Sequence, residues 1–204
     1  MSIKARNNLR YVKYIIIIAV AVGAGIFLGR FITDYKTQYL LSREFCGSYR
    51  GIDVYKCGEI NADNFVGHAY MLEQAPDVLT ECCTEMYFTG GDLSVPVVGQ
   101  KNRKALGLTQ DSTIYISTDT FNVDVVYHEL FHAYDNVNGK LSESSEFQQI
   151  YYRESDKVFF EAVDEDSNYA EFFAAAGAAY LLEPEVLEAA APLTYEYIYN
   201  LLGE

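Results

Sequence analysis

Five consecutive residues, His128-Glu129-Leu130-Phe131-His132, restrict this chain more than any others. Residues four apart on a helix lie on one face. A helix here therefore brings two imidazoles together at a spacing that can hold one zinc ion. Glu129 sits one residue round from His128 and can reach a water on the metal without binding the metal itself. The flanks, Val123-Asp124-Val125-Val126-Tyr127 and Ala133-Tyr134-Asp135, are mostly apolar. A helix from about Asn122 to Asn136 is thus expected to be largely buried. Asn122 can cap its start, and Gly139 lies just past its end. Burying two histidines and a glutamate without a partner is costly, and a metal offsets that cost. A surface helix that merely carries two histidines has no need of such flanks.

The 204 residues suffice for one ordinary domain plus a targeting segment. Residues 1–13 carry Lys4, Arg6, Arg10 and Lys13 and no acid, and an apolar run from Tyr14 to Gly29 follows. Two fates compete for that run. A cleaved signal peptide needs a short apolar core and small residues at the cut, which Val22-Gly23-Ala24 supply. An uncleaved anchor needs about 17–25 apolar residues, and the run reaches Ile32 if Arg30 snorkels to the headgroups. Cleavage after Ala24 leaves an apolar start, Gly-Ile-Phe-Leu, so the anchor is favoured. The expected organisation is a cytoplasmic basic segment at 1–13, a transmembrane helix at 14–32 and a juxtamembrane connection at 33–49. A catalytic domain follows at 50–204, outside the cell membrane of a single-pass protein. A secreted protein is the alternative.

Charge follows the same division. Residues 1–30 hold five of the fifteen basic residues and no acid. The remainder carries ten basic against twenty-nine acidic residues, a formal −19. Its overall field excludes nucleic acid as a partner. Cys46, Cys57, Cys82 and Cys83 form no zinc-ligand C-x-x-C pattern. Outside the cell a Cys46–Cys57 disulfide is as consistent with the sequence as four free thiols.

Within the outer domain, Ile52-Asp53-Val54-Tyr55 reads as a short strand and Asn61 to Gln74 as a helix. Pro76 opens a second short helix, to about Cys83. Glu85–Thr89 and Thr113–Ser117 alternate as strands, the latter just before the motif helix. Beyond it come helices at about 145–163 and 168–182, then segments opened by Pro184 and Thr194. The predicted fold is α+β, a small sheet followed by a helical half. Thr113–Ser117 is the expected edge against which an extended peptide pairs.

Two histidines do not complete a zinc site. The pattern with glycine three and histidine six residues beyond the second motif histidine is excluded, because Asp135 and Asn138 stand there. His68, the third histidine of the chain, reads as an ordinary helix residue. Glu171 is the best third ligand. It opens the otherwise apolar, small-residue segment Asn168-Tyr169-Ala170-Glu171-Phe172-Phe173-Ala174-Ala175-Ala176, and with Gly177 this helix can pack closely on the motif helix. Asn168-x-x-Glu171 is also a capping box, so a purely local role stays open.

Val126-Tyr127-His128-Glu129-Leu130-Phe131-His132-Ala133-Tyr134-Asp135, followed by Ala170-Glu171-Phe172-Phe173-Ala174, resembles the catalytic domain of anthrax toxin lethal factor and the secreted Pro-Pro endopeptidases. The resemblance covers roughly residues 50–204. It implies a zincin-like metallopeptidase fold, a zinc cofactor and a glutamate third ligand, here Glu171. It also implies a tyrosine that stabilises the oxyanion about two helical turns earlier. Asp164 stands at that place, with Tyr169 nearby and Tyr151 and Tyr152 further upstream, so Tyr169 is taken for the role. No residue carries a proline preference across.

The expected function is zinc-dependent cleavage of a peptide or protein outside the cell. His128, His132 and Glu171 bind the metal and Glu129 is the general base. Asp135, three residues past His132, either orients a ligand imidazole or is solvated near the helix end. The rival is a membrane-tethered zinc-binding pseudo-peptidase that binds a peptide or a partner protein without turnover. The intact Glu129 argues against it.

Overall fold

The computed structural model describes residues 43–91, 93–95, 103–158 and 168–203. The chain divides into Met1–Arg43 and Glu44–Glu204, and the description below concerns the second unit with Arg43. Residues 14–32, expected as a transmembrane helix, lie outside the described residues. Among those described, no helix is long and apolar enough to cross a membrane.

Strands β1 (Arg43–Tyr49) and β2 (Ile52–Cys57) are neighbours, joined by Arg50 and Gly51 at φ +50° and +86°. Positive φ at both central residues is the two-residue hairpin turn whose twist matches that of the strands. Helix α1 (Ala62–Gln74) is capped by Asn61, whose side chain accepts from the N–H groups of Asp63 and Asn64. Short α2 (Asp77–Thr80) follows Pro76. Then come β3 (Glu85–Thr89), the pair β4 (Leu93–Val95) and β5 (Arg103–Ala105), β6 (Gly107–Gln110) and β7 (Thr113–Ser117). The main sheet has the order β1-β2-β3-β7-β6. β2, β3 and β7 run parallel, and β6 lies antiparallel to β7.

The helical half is α3 (Val125–Val137), a 3-10 turn at Leu141–Glu143, α4 (Ser145–Glu154), α5 (Tyr169–Leu182), α6 (Pro184–Ala190) and α7 (Pro192–Leu202). The α+β architecture read from the sequence is the one found. Strand alternation explains the two faces of the sheet. Ile52, Met86, Phe88, Ile114 and Ile116 are fully buried in the helix-covered core. Each such side chain contributes roughly 1.5–3 kcal/mol on removal from water. On the alternate positions Tyr55, Tyr87 and Tyr115 stack across three strands, with ring centroids 4.9 and 5.1 Å apart.

Several boundaries differ from the sequence reading. Residues 43–49, read as part of a connection, form β1. The motif helix starts at Val125, and Asn122 caps the turn before it by accepting from Asp124 N at 3.0 Å. The helix at 145 ends at Glu154, and α7 begins at Pro192 rather than at Thr194. The expected edge is also corrected. β7 lies between β3 and β6, hydrogen-bonded on both sides, and the outer strand is β6.

Candidate metal centre

Ten of the thirteen α3 residues are buried, so the motif helix runs inside the domain rather than along its surface. It packs on α5, and the approach is close because Gly177 has no side chain. A Cβ there would run into the Phe131 ring. Phe131 also meets Phe173 of α5 edge-on at 5.8 Å. These contacts carry the first turn of α5 to the open end of the two motif imidazoles. Asn168 caps that turn, accepting from Ala170 N at 2.9 Å and Glu171 N at 3.2 Å. The Asn168 half of the capping box is therefore formed. The Glu171 carboxylate turns the other way, towards His128 and His132.

The Nε2 atoms of His128 and His132 are 3.1 Å apart. Glu171 places Oε2 at 3.4 Å from His128 Nε2 and Oε1 at 3.6 Å from His132 Nε2. Among the described residues this is the group of histidine, cysteine or acid side chains whose ligand atoms converge, all within 4.8 Å of one another. A tetrahedral ion with bonds of about 2.0–2.1 Å separates its ligand atoms by about 3.3–3.4 Å. The Nε2–Nε2 spacing and the two Glu171 contacts, one from each carboxylate oxygen, lie on either side of that value, and two nitrogens with one carboxylate suit zinc. The residues fit the ion.

Hydrogen bonds to His128 and then His132 hold the Glu171 carboxyl far below the usual carboxylate range, against the effect of desolvation. Burial pulls the His132 imidazole down. Its hydrogen bond to Glu171 and the charges of Glu129, Glu171 and Asp135 outweigh that, and its pKa ends above 6.5.

Glu129 is 5% exposed and faces β6. Its Oε2 accepts from the Thr109 hydroxyl at 2.6 Å. The sequence reading did not find β6, Thr109 or Gly107. One signal was present, since a lone glycine in a strand often marks a close approach. A Cβ at Gly107 would overlap the Glu129 side chain.

Asp135 has neither of the roles expected of it. It is 1% exposed, so it is not solvated, and its carboxylate accepts from Ser142 N and Ser142 Oγ, both at 2.7 Å. It ties the 3-10 turn to α3 rather than gripping an imidazole. His128 Nδ1 is buried and has no hydrogen-bond partner among the described residues. His68 is fully buried and stacks on Phe121 and Phe88, with centroids 5.1 and 6.3 Å away, outside the ligand trio. Burial lowers its pKa, with partial opposition from the Asn122 backbone. Tyr169 opens α5 and its hydroxyl meets that of Tyr152. Two positions apart on a helix, Tyr169 and Glu171 leave on different sides. Cys46, Cys82 and Cys83 are free thiols, and burial pushes Cys83 up to about 12.

The model of the family described as anthrax toxin lethal factor, N- and C-terminal domain, matches residues 76–201. That is well over half of the chain, and it includes both pieces of the site. The chain belongs to the anthrax toxin lethal factor family. Among solved structures it is similar to the Pro-Pro endopeptidase (PPEP-2) from Paenibacillus alvei. The TM-score is 0.56 at 19% identity, over 72% of this chain and 96% of that one, which shows a shared fold. No curated protein matches the chain. Membership in the lethal factor family, together with the donor set, points to a metal-dependent peptidase that acts on peptides, with zinc as its metal.

Proposed function

We propose that this chain is an extracytoplasmic zinc-dependent endopeptidase held at the cell membrane by residues 14–32. The observation that carries the catalytic part is the convergence of His128, His132 and Glu171, with the buried carboxylate of Glu129 on the next residue of the same helix. A zinc ion in that trio supplies a Lewis acid that polarises a carbonyl and makes a water acidic near neutral pH. The two imidazoles offer Nε2, and Glu171 brings a negative charge from a second helix. Glu129 takes a proton from a water in the cleft and returns it to the leaving amine as the C–N bond breaks. The substrate runs extended along β6, the outer strand, and pairs with its backbone.

The test is metal analysis and cleavage of a peptide library by the full chain in detergent, with Pro-Pro peptides included. About one zinc per chain and cleavage of at least one peptide are expected. Zinc without any cleavage would favour the pseudo-peptidase. Tyr169→Phe belongs in the same assay, because the oxyanion role is the one that the geometry supports least. Unchanged kcat removes that role from Tyr169.

The membrane part rests on the basic residues before Ile15 and the apolar run to Ile32. A C-terminal tag should be reachable by protease added outside an intact membrane, and the mature chain should still begin within residues 1–13. A chain that starts at Gly25 and appears in the medium overturns the anchor and leaves the enzyme untouched.

A further inference from the structure

Thr109 lies in the middle of β6 and pairs with Ile114 of β7. Its single hydroxyl stands between two oxygens of one residue, 2.6 Å from Glu129 Oε2 and 3.0 Å from the Glu129 backbone oxygen. One proton serves two acceptors, and the shorter bond goes to the carboxylate, which is the stronger partner when ionised. Two residues earlier on the same strand, Gly107 offers a bare Cα against the Glu129 side chain, in the direction of Oε1 and Cγ. β6 thus holds Oε2 by a hydrogen bond and, having no side chain at Gly107, leaves room for Oε1.

We infer that Thr109 is a positioning residue for Glu129 and that β6 holds the base in place by this hydroxyl and the gap at Gly107. The inference rests on the reading of Glu129 as the general base. Thr109 donates to Oε2, so the carboxylate is held in one orientation and need not swing. β6 is also the outer strand, so the element that faces the substrate backbone is the one that orients the base.

Thr109→Val removes the hydroxyl and keeps the shape, and Thr109→Ser keeps the hydroxyl. Both are assayed as full chains in detergent, with zinc content, on a fluorogenic form of a peptide that the wild-type chain cleaves. For Thr109→Val, kcat is expected to fall about 10–100-fold, with KM within about twofold. Zinc stays at the wild-type level. Thr109→Ser returns kcat to within about threefold of wild type. A crystal structure of Thr109→Val should show the Glu129 carboxylate in more than one orientation. Gly107→Ala, which displaces the carboxylate, should lower kcat with zinc retained. Unchanged kcat in Thr109→Val, equal loss in Thr109→Ser, or loss of zinc overturns the inference. If Thr109→Val does not fold, unchanged kcat in Gly107→Ala overturns it instead. Glu129→Gln in the same assay separates the two levels. If it is inactive while Thr109→Val is normal, only the positioning role fails. If it is fully active, the base reading fails as well.

Discussion

Glu129→Gln is expected to lower kcat by about 10²–10⁴-fold while the chain keeps its zinc. The substitution preserves size and leaves an amide oxygen that can still accept from Thr109, which now donates to Oε2 at 2.6 Å. What it removes is the ability to take up a proton. The Glu129 side chain does not belong to the converging ligand trio, so metal content should not change. Zinc analysis beside steady-state kinetics checks both halves. A kcat within tenfold of wild type, or zinc lost together with activity, would rule out the assignment of base and ligands made above.

Removal of the metal should change stability in a pH-dependent way whose sign can be worked out. In the metal-free protein the Glu171 pKa is lowered. Its contribution to stability is present above its unfolded value of about 4.3 and is lost as pH falls through the folded value. The His132 pKa is raised. Its contribution is present below about 6.5 and is lost as pH rises through the folded value. Metal-free protein should therefore be most stable between about pH 4.5 and 6.5. Zinc needs deprotonated ligands, so its affinity runs the opposite way. At about a thousandfold excess over Kd, zinc adds about 4 kcal/mol, or roughly 10 °C in Tm for a domain of this size. That shift should be large at pH 7.5, small at pH 5 and absent in His128→Ala and His132→Ala. Thermal melts with and without zinc at the two pH values decide. Equal shifts at both, or a shift that survives in either variant, would mean that the ion binds elsewhere.

How much of this was legible in the sequence depends on how local each feature is. The motif helix and the strands at Glu85–Thr89 and Thr113–Ser117 follow from periodicity over a few residues, and the structure has them within a turn of their expected bounds. Asn61 and Asn168 announce their helices by cap chemistry. The small residues of α5, Gly177 above all, announced the close helix packing that the Phe131 contact displays. Strand order is different, because it is set by the whole sheet. The alternation of Thr113–Ser117 could not reveal that a shorter strand lies outside it. β6 itself is four half-buried or exposed residues with no alternation, so it left no periodic trace. The partner of Asp135 was hidden for a similar reason. Ser142 lies seven residues on, across a chain reversal in which Gly139 and Lys140 have positive φ.

The contact between Phe131 and Gly177 has a further consequence. Phe131 lies between the two ligand histidines on one helix, and Gly177 lies six residues past Glu171 on the other. The distance from Glu171 to the two imidazoles is thus set by how closely a ring meets a bare backbone, an apolar contact buried in the core. Small zinc modules fold only when the ion arrives. Here part of the ligand spacing is carried by carbon packing, so a side chain added at Gly177 would disturb the metal site without touching a ligand.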